Sequence, residues 1–215
     1  MKGGRLQSGT SYLVRREGRI HVVSEDYGYK TDSYYTILSR EMAGELVDPG
    51  SRSVLDAAVV PVCLERAARA GIPVAECLIS QSCIPCLPAI LYGLNYFSCT
   101  SEFSVVRNQE TEKEVVRHIT NNGKYPFCYQ PLPPSSEVMT AVAIFGKTTD
   151  DEPEVRGMAE RLYAEFRIPL MTLVVIRTRE GSRFLLSSLA PARYSSLSPA
   201  ERSLLQAYLA HQEFL

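Results

Sequence analysis

The feature that most restricts this chain is Leu170-Met171-Thr172-Leu173-Val174-Val175-Ile176, a near-continuous apolar run. Seven such residues are too few for a buried helix and suit a strand covered on both faces. Glu180-Gly181 follows as a turn signal, and Phe184 to Leu189 supplies a second strand to close a hairpin. Before the run, Thr149-Asp150-Asp151-Glu152-Pro153 makes an acidic helix start with proline in the first turn. Val155, Met158, Leu162 and Phe166 then form one apolar stripe, so that helix must lie on a sheet. After the hairpin, Ser198-Pro199-Ala200-Glu201 reads as a capping box opening a last helix.

The N-terminal part alternates in the same way. Tyr12-Leu13-Val14 and Ile20-His21-Val22-Val23 are strand-like, with Glu17-Gly18 between them as a tight turn. Tyr34, Tyr35, Leu38 and Met42 recur at helical spacing, Asp32 or Ser33 can cap the first turn, and Tyr35 and Leu38 are expected to face the core. Leu46-Val47 reads as a short strand before Asp48-Pro49-Gly50. A helical stretch, Ser53 to Ala70, ends at Gly71, and Pro61 should kink or split it. Residues 72–134 are the least regular, with a possible strand at Phe103 to Val106, a charged helix from about Glu110 to Asn121, and a linker at Pro131 to Ser136. The fold expected is therefore α/β: a layered domain over 1–215 with a mixed β-sheet flanked by helices, and a C-terminal β-hairpin plus helix.

Charge narrows the partners. Lys and Arg number 23 against 24 Asp and Glu, a formal net charge of −1. Nucleic acid and anionic membranes favour a basic surface, so neither is expected. The longest apolar candidate, Val54 to Ala70, is broken by Asp56, Pro61, Glu65 and Arg66, too polar for a membrane helix. The first ten residues lack the apolar stretch of a secretory signal. A soluble, cytoplasmic chain is expected, and its six cysteines should then be reduced thiols.

The chemistry-bearing motifs are few. Neither the Rossmann nor the Walker glycine spacing occurs, nor Gly-x-Ser-x-Gly, nor His-Glu-x-x-His. His21, His118 and His211 stand in three different elements, and no catalytic residue is assigned. Cys77, Cys83, Cys86 and Cys99 fall in one stretch, with Cys83-Ile84-Pro85-Cys86 as a Cys-x-x-Cys pair. Zinc prefers two close pairs of soft ligands, and only one is present, so Cys77 and Cys99 would have to complete the site irregularly. A redox pair at Cys83 and Cys86 is a second reading, and small buried thiols packing as apolar residues a third, which is preferred. The loop Asp26 to Asp32 mixes carboxylates, phenols and an ammonium. Asp26, Tyr27, Tyr29, Lys30 and Tyr34 could line a ligand cleft at a strand's carboxyl end, or simply form a polar loop with packed rings.

Two stretches carry a resemblance. One, 19–49, centres on Val22-Val23-Ser24-Glu25-Asp26-Tyr27-Gly28-Tyr29-Lys30-Thr31-Asp32-Ser33-Tyr34-Tyr35. The other, 141–209, has Ile144-Phe145-Gly146 after a strand, a helix with Leu162 and Phe166, Pro169-Leu170, then Leu186-Ser187-Ser188-Leu189-Ala190-Pro191 and a helix after Ser198-Pro199. Together they resemble the N-terminal domain of RimK-like ATP-grasp ligases over roughly half the chain. The middle, about 77–134, is longer and richer in cysteine than that family suggests, and no residue binding ATP or magnesium can be carried over. The resemblance implies a free-standing, non-catalytic accessory domain. Its partner would be a separate ATP-grasp carboxylate–amine ligase chain, or a second copy of itself. No cofactor is expected for the chain alone, zinc at the cysteines being the one candidate. The competing readings are a small thiol or zinc protein using Cys83 and Cys86, and a small-molecule-binding regulatory module using the tyrosine loop.

Overall fold

The structure, a computed structural model, describes residues 6–95, 98–178, 183–210 and 213–214. The expected Glu180-Gly181 turn and His211 lie outside the described residues. The chain divides into two compact units. The first comprises Met1–Ala57, Ala141–Leu173 and Pro191–Leu215; the second comprises Ala58–Thr140 and Val174–Ala190.

In the first unit, β1 (Tyr12–Arg16) and β2 (Arg19–Val23) form an antiparallel hairpin across Glu17-Gly18, whose φ values are 52° and 75°. Two left-handed residues match the twist of the strands they join. The parallel partner of β2 is β3 (Val47–Asp48), with Ile20 opposite Val47 and His21 opposite Asp48. A short C-terminal strand, β11 (Glu213–Phe214), adds to β1, giving the mixed order β11-β1-β2-β3. Between β2 and β3 runs α1 (Asp32–Met42), capped by the Thr31 side chain rather than by Asp32 or Ser33. Its buried residues are Ser33 and Ile37, while Tyr35 is 57% and Met42 81% exposed. Of the two residues expected to face the core, Tyr35 is therefore exposed and Leu38 only half-buried. Ile37, with Ser33 one turn earlier, supplies the packing that the larger residues were expected to give.

The helical stretch expected over 53–70 is two helices, α2 (Ser51–Ala58) and α3 (Val60–Arg69). Pro61 sits in the first turn of α3, where its missing N–H costs nothing, so of the two expected outcomes it splits the stretch rather than kinking it. In the second unit the irregular middle carries a four-stranded sheet of order β4-β7-β5-β6. Its strands are β4 (Leu78–Ser80), β5 (Ala89–Gly93), β6 (Ser104–Val106) and β7 (Phe127–Pro131). The helix α4 (Gln109–Ile119) precedes β7, capped by the Asn108 side chain and stopped at Asn121, Asn122 and Gly123, all at positive φ. Ile84, Ala89, Leu91, Val106, Val116, Ile119, Phe127 and Tyr129 form this unit's core.

A three-stranded sheet of order β10-β9-β8 completes the architecture. It is built from β8 (Glu137–Ile144), β9 (Leu170–Thr178) and β10 (Arg183–Ala190). The central position of β9 accounts for its near-continuous apolar run. Residues of α5 (Pro153–Phe166) bury the expected stripe of Val155, Met158, Leu162 and Phe166. The capping box of α6 (Pro199–Ala210) forms as read: Ser198 N–H donates to Glu201, and Glu201 N–H to the Ser198 hydroxyl at 3.3 Å. The expected α/β class with a mixed sheet is what the chain adopts.

Candidate functional site

The loop after β2 is held by its own hydrogen bonds. The Tyr27 hydroxyl donates to the Val22 carbonyl at 3.1 Å and accepts the Ser24 N–H at 3.0 Å, and burial pushes this phenol up from its ordinary range. Asp26 accepts the Gly28 N–H at 2.8 Å through its carboxylate, and its carbonyl takes the Ser24 and Ser33 hydroxyls. Tyr29 and Lys30 are exposed, the ammonium 5.4 Å from the phenol ring centre, and Tyr34 meets Tyr35 edge-on at 5.5 Å. Thus two of the five residues singled out support the loop, and three have side chains reaching solvent. The neighbouring Glu25, which spacing did not single out, is a buried clamp. Burial opposes its charge, but donors from Gly9 N–H, Tyr194 N–H and the Ser8 hydroxyl outweigh that and hold its carboxyl below the usual range.

The cysteines separate. Cys83 and Cys86 are exposed and Cys99 half-buried beside the Ser101 hydroxyl at 3.0 Å. Cys77 lies against Cys128, whose hydrogen bond holds the Cys77 thiol below its ordinary value. Among the described residues, no group of three or more His, Cys, Asp or Glu is gathered so as to hold a metal ion.

In the second unit a buried polar chain links three strands. The Ser188 hydroxyl donates to the Tyr92 hydroxyl at 3.0 Å, Tyr92 lies 2.6 Å from Ser187, and Ser187 donates to the Gln130 side-chain carbonyl at 2.6 Å. Gln130 returns a hydrogen bond to the Ser187 carbonyl at 2.8 Å. All four residues are buried, and burial pushes the Tyr92 phenol up to about 12, so it stays a neutral donor. Sequence reading missed this chain because each of its hydrogen bonds joins residues at least 57 positions apart, with no periodic relation.

The first unit holds a different kind of centre. Register places Arg16, Arg19, His21 and Asp48 on one face of the sheet, since opposed residues and those two apart share a face. Arg19 grips Asp48 with two nitrogens, Nε to Oδ2 at 2.7 Å and Nη2 to Oδ1 at 2.8 Å. His21 is 5% exposed; its Nδ1 lies 3.9 Å from Asp48 Oδ2 and has no hydrogen-bond partner. Burial lowers its pKa, with Asp48 opposing and Arg16 and Arg19 assisting. Against this face stands Phe145, its ring 5.6 Å from His21, 5.9 Å from Tyr163 and stacked on Tyr208 at 4.7 Å. Two guanidiniums lie over those rings, Arg16 5.6 Å from Tyr208 and Arg167 5.7 Å from Tyr163.

No protein-family model and no curated protein matches the chain. Solved structures do. A RimK domain protein ATP-grasp from Sphaerobacter thermophilus matches at TM-score 0.58 and 17% identity, over 81% of this chain and 73% of that one. D-alanyl-alanine synthetase A from Vibrio cholerae matches at 0.60 and 11%, over 95% and 80%. The ATP-grasp ligase PsnB, complexed with a minimal precursor, matches at 0.53 and 13%, over 94% and 85%. The fold of the chain is similar to that of these ATP-grasp proteins. A match over 95% of the chain leaves too little outside to exclude residues 72–134. The structural likeness therefore runs through the middle segment as well as the two ends that carry the sequence resemblance.

Proposed function

We propose that this chain is a non-catalytic accessory to an ATP-dependent carboxylate–amine ligase, working beside a separate ligase chain. The observation that carries this reading is the Ser188–Tyr92–Ser187–Gln130 chain in the second unit. Its groups are neutral, buried and committed to one another. A phenol held near 12 moves no proton at neutral pH, and none of these neutral groups is the carboxylate through which magnesium is usually bound. Within an ATP-grasp-related fold, this interior of the second unit contributes shape rather than the charged groups that acyl-phosphate chemistry needs. The Tyr29 and Lys30 side chains, open to solvent beside α1, offer a surface to the ligase or its substrate.

The test measures ADP release and amide formation by the purified full chain with magnesium, ATP and a panel of carboxylates and amines. The expected result is no turnover alone, and turnover when the ligase chain that co-purifies with it is added. Turnover by the chain alone at an ordinary enzymatic rate, on the order of 1 s⁻¹ or faster, overturns the reading.

A further inference from the structure

The arginine–aromatic centre of the first unit is more elaborate than its packing requires. Three of the described non-glycine residues at positive φ belong to it: Glu17 at 52°, Phe145 at 49° and Arg167 at 57°. A bulky residue such as Phe145 in the left-handed region is strained, and persists only where its surroundings over-determine it. Arg167 occupies the position after α5 where glycine is the usual residue. Its guanidinium forms no ion pair among the described residues and lies over Tyr163. Among the described residues Arg16 forms an ion pair only with Glu17, at 3.3 Å, and that carboxylate is 80% exposed. The buried carboxylate on this face of the sheet, Asp48, is already taken by Arg19. Behind these groups, His21 Nδ1 is buried with nothing to bond. An unpaired buried polar atom is costly unless another molecule completes it.

We propose that this centre binds an organic carboxylate, clasped by Arg16 and Arg167, its apolar body resting on the Tyr163, Phe145 and Tyr208 rings. Guanidinium forks match a planar carboxylate with two parallel hydrogen bonds and stack readily on aromatic faces. The rim side chains are long and partly exposed, so they part to admit the ligand, and the seated carboxylate accepts from His21 Nδ1. The excess of positive charge fits one anion: Arg19 is balanced by Asp48, while Arg16 and Arg167 lie over rings and the Glu17 carboxylate beside Arg16 points largely to water. The proposal concerns binding by this chain alone and stands apart from the ligase reading, since either can fail without the other.

The experiment titrates the full chain with benzoate, acetate and inorganic phosphate at constant ionic strength, following the imidazole signals of its three histidines by NMR. The His21 signal is assigned from the His21→Gln variant. Benzoate is expected to shift the His21 signal saturably and at lower concentration than acetate or phosphate. Arg167→Gly should weaken benzoate about tenfold or more, while the melting temperature holds or rises because glycine suits that backbone. Arg16→Gln should weaken it similarly. A His21 signal that does not saturate, equal response to all three anions, or unchanged benzoate affinity in both arginine variants overturns the proposal. Phosphate binding in preference to benzoate also overturns it, since it would mark a phosphate site.

Discussion

His21 shows how one buried side chain ties stability to acidity. Asp48 on β3 favours the imidazolium, but burial and the nearby Arg16 and Arg19 outweigh it, so the folded-state pKa lies below the ordinary 6.5. Glu17 in the turn adds a weak pull towards protonation, and Tyr163 on α5 is a neutral phenol pushed up by burial. In the window below 6.5 the unfolded chain therefore takes up a proton that the folded chain refuses. Stability present at neutral pH is lost as pH falls from 6.5 towards the folded value, by at most about 1.4 kcal/mol per pH unit. Urea denaturation at pH 7.5, 6.5 and 5.5 should show this slope in the natural chain and a shallower one in His21→Leu. An equal slope in both would remove His21 as its source. None of this was legible in the sequence, where His21 is one of three scattered histidines. Its chemistry comes from the parallel register that sets Asp48 beside it, which only the fold creates.

Elements were read well where local signals act alone. The Glu17-Gly18 turn, the proline-led start of α5 and the Ser198 capping box depend on neighbours in sequence, and each forms. Reading failed where tertiary packing chooses. In α1 the bulky residues sit at helical spacing, yet the core takes Ile37 and Ser33 and leaves Met42 outside. Ile37→Ala should accordingly cost about 2–5 kcal/mol by removing a fully buried side chain. Met42→Lys, at a position 81% exposed, should stay within about 0.5 kcal/mol of the natural chain. Denaturation midpoints that rank the two variants the other way would mean that α1 packs by its larger stripe. The strands β4, β5 and β7 were missed for a related reason. They are short and set among prolines and cysteines, and their apolar residues answer a sheet whose partners lie far along the chain. The loop residues fared between these extremes: a polar loop at the end of β2 is present, but which side chains support it could not be read from spacing.

At the scale of the molecule, neither unit is a continuous piece of chain. The chain leaves the second unit within β8 and returns to it within β9, in the middle of strands rather than at a linker. Composition carries no mark of such a crossing, because the apolar run of β9 continues across it. The connectivity has a consequence for dissection. A fragment 58–140 contains Tyr92 and Gln130 but not Ser187 and Ser188, so the buried chain loses both its hydroxyl partners. It also lacks β10, whose Leu186 exchanges backbone hydrogen bonds with Pro73 and Ala75 at 2.9 and 2.8 Å. Buried amide and phenol groups without partners cost about 1–3 kcal/mol each, a large share of a small domain's margin. The fragment 58–140 should therefore show poor amide dispersion by NMR. The longer fragment 58–190, which restores Val174–Ala190, should recover dispersed signals for Tyr92 and Gln130. Native-like dispersion in the shorter fragment would show that the second unit closes its polar interior without β10, and that the Ser187 and Ser188 hydroxyls are dispensable to it.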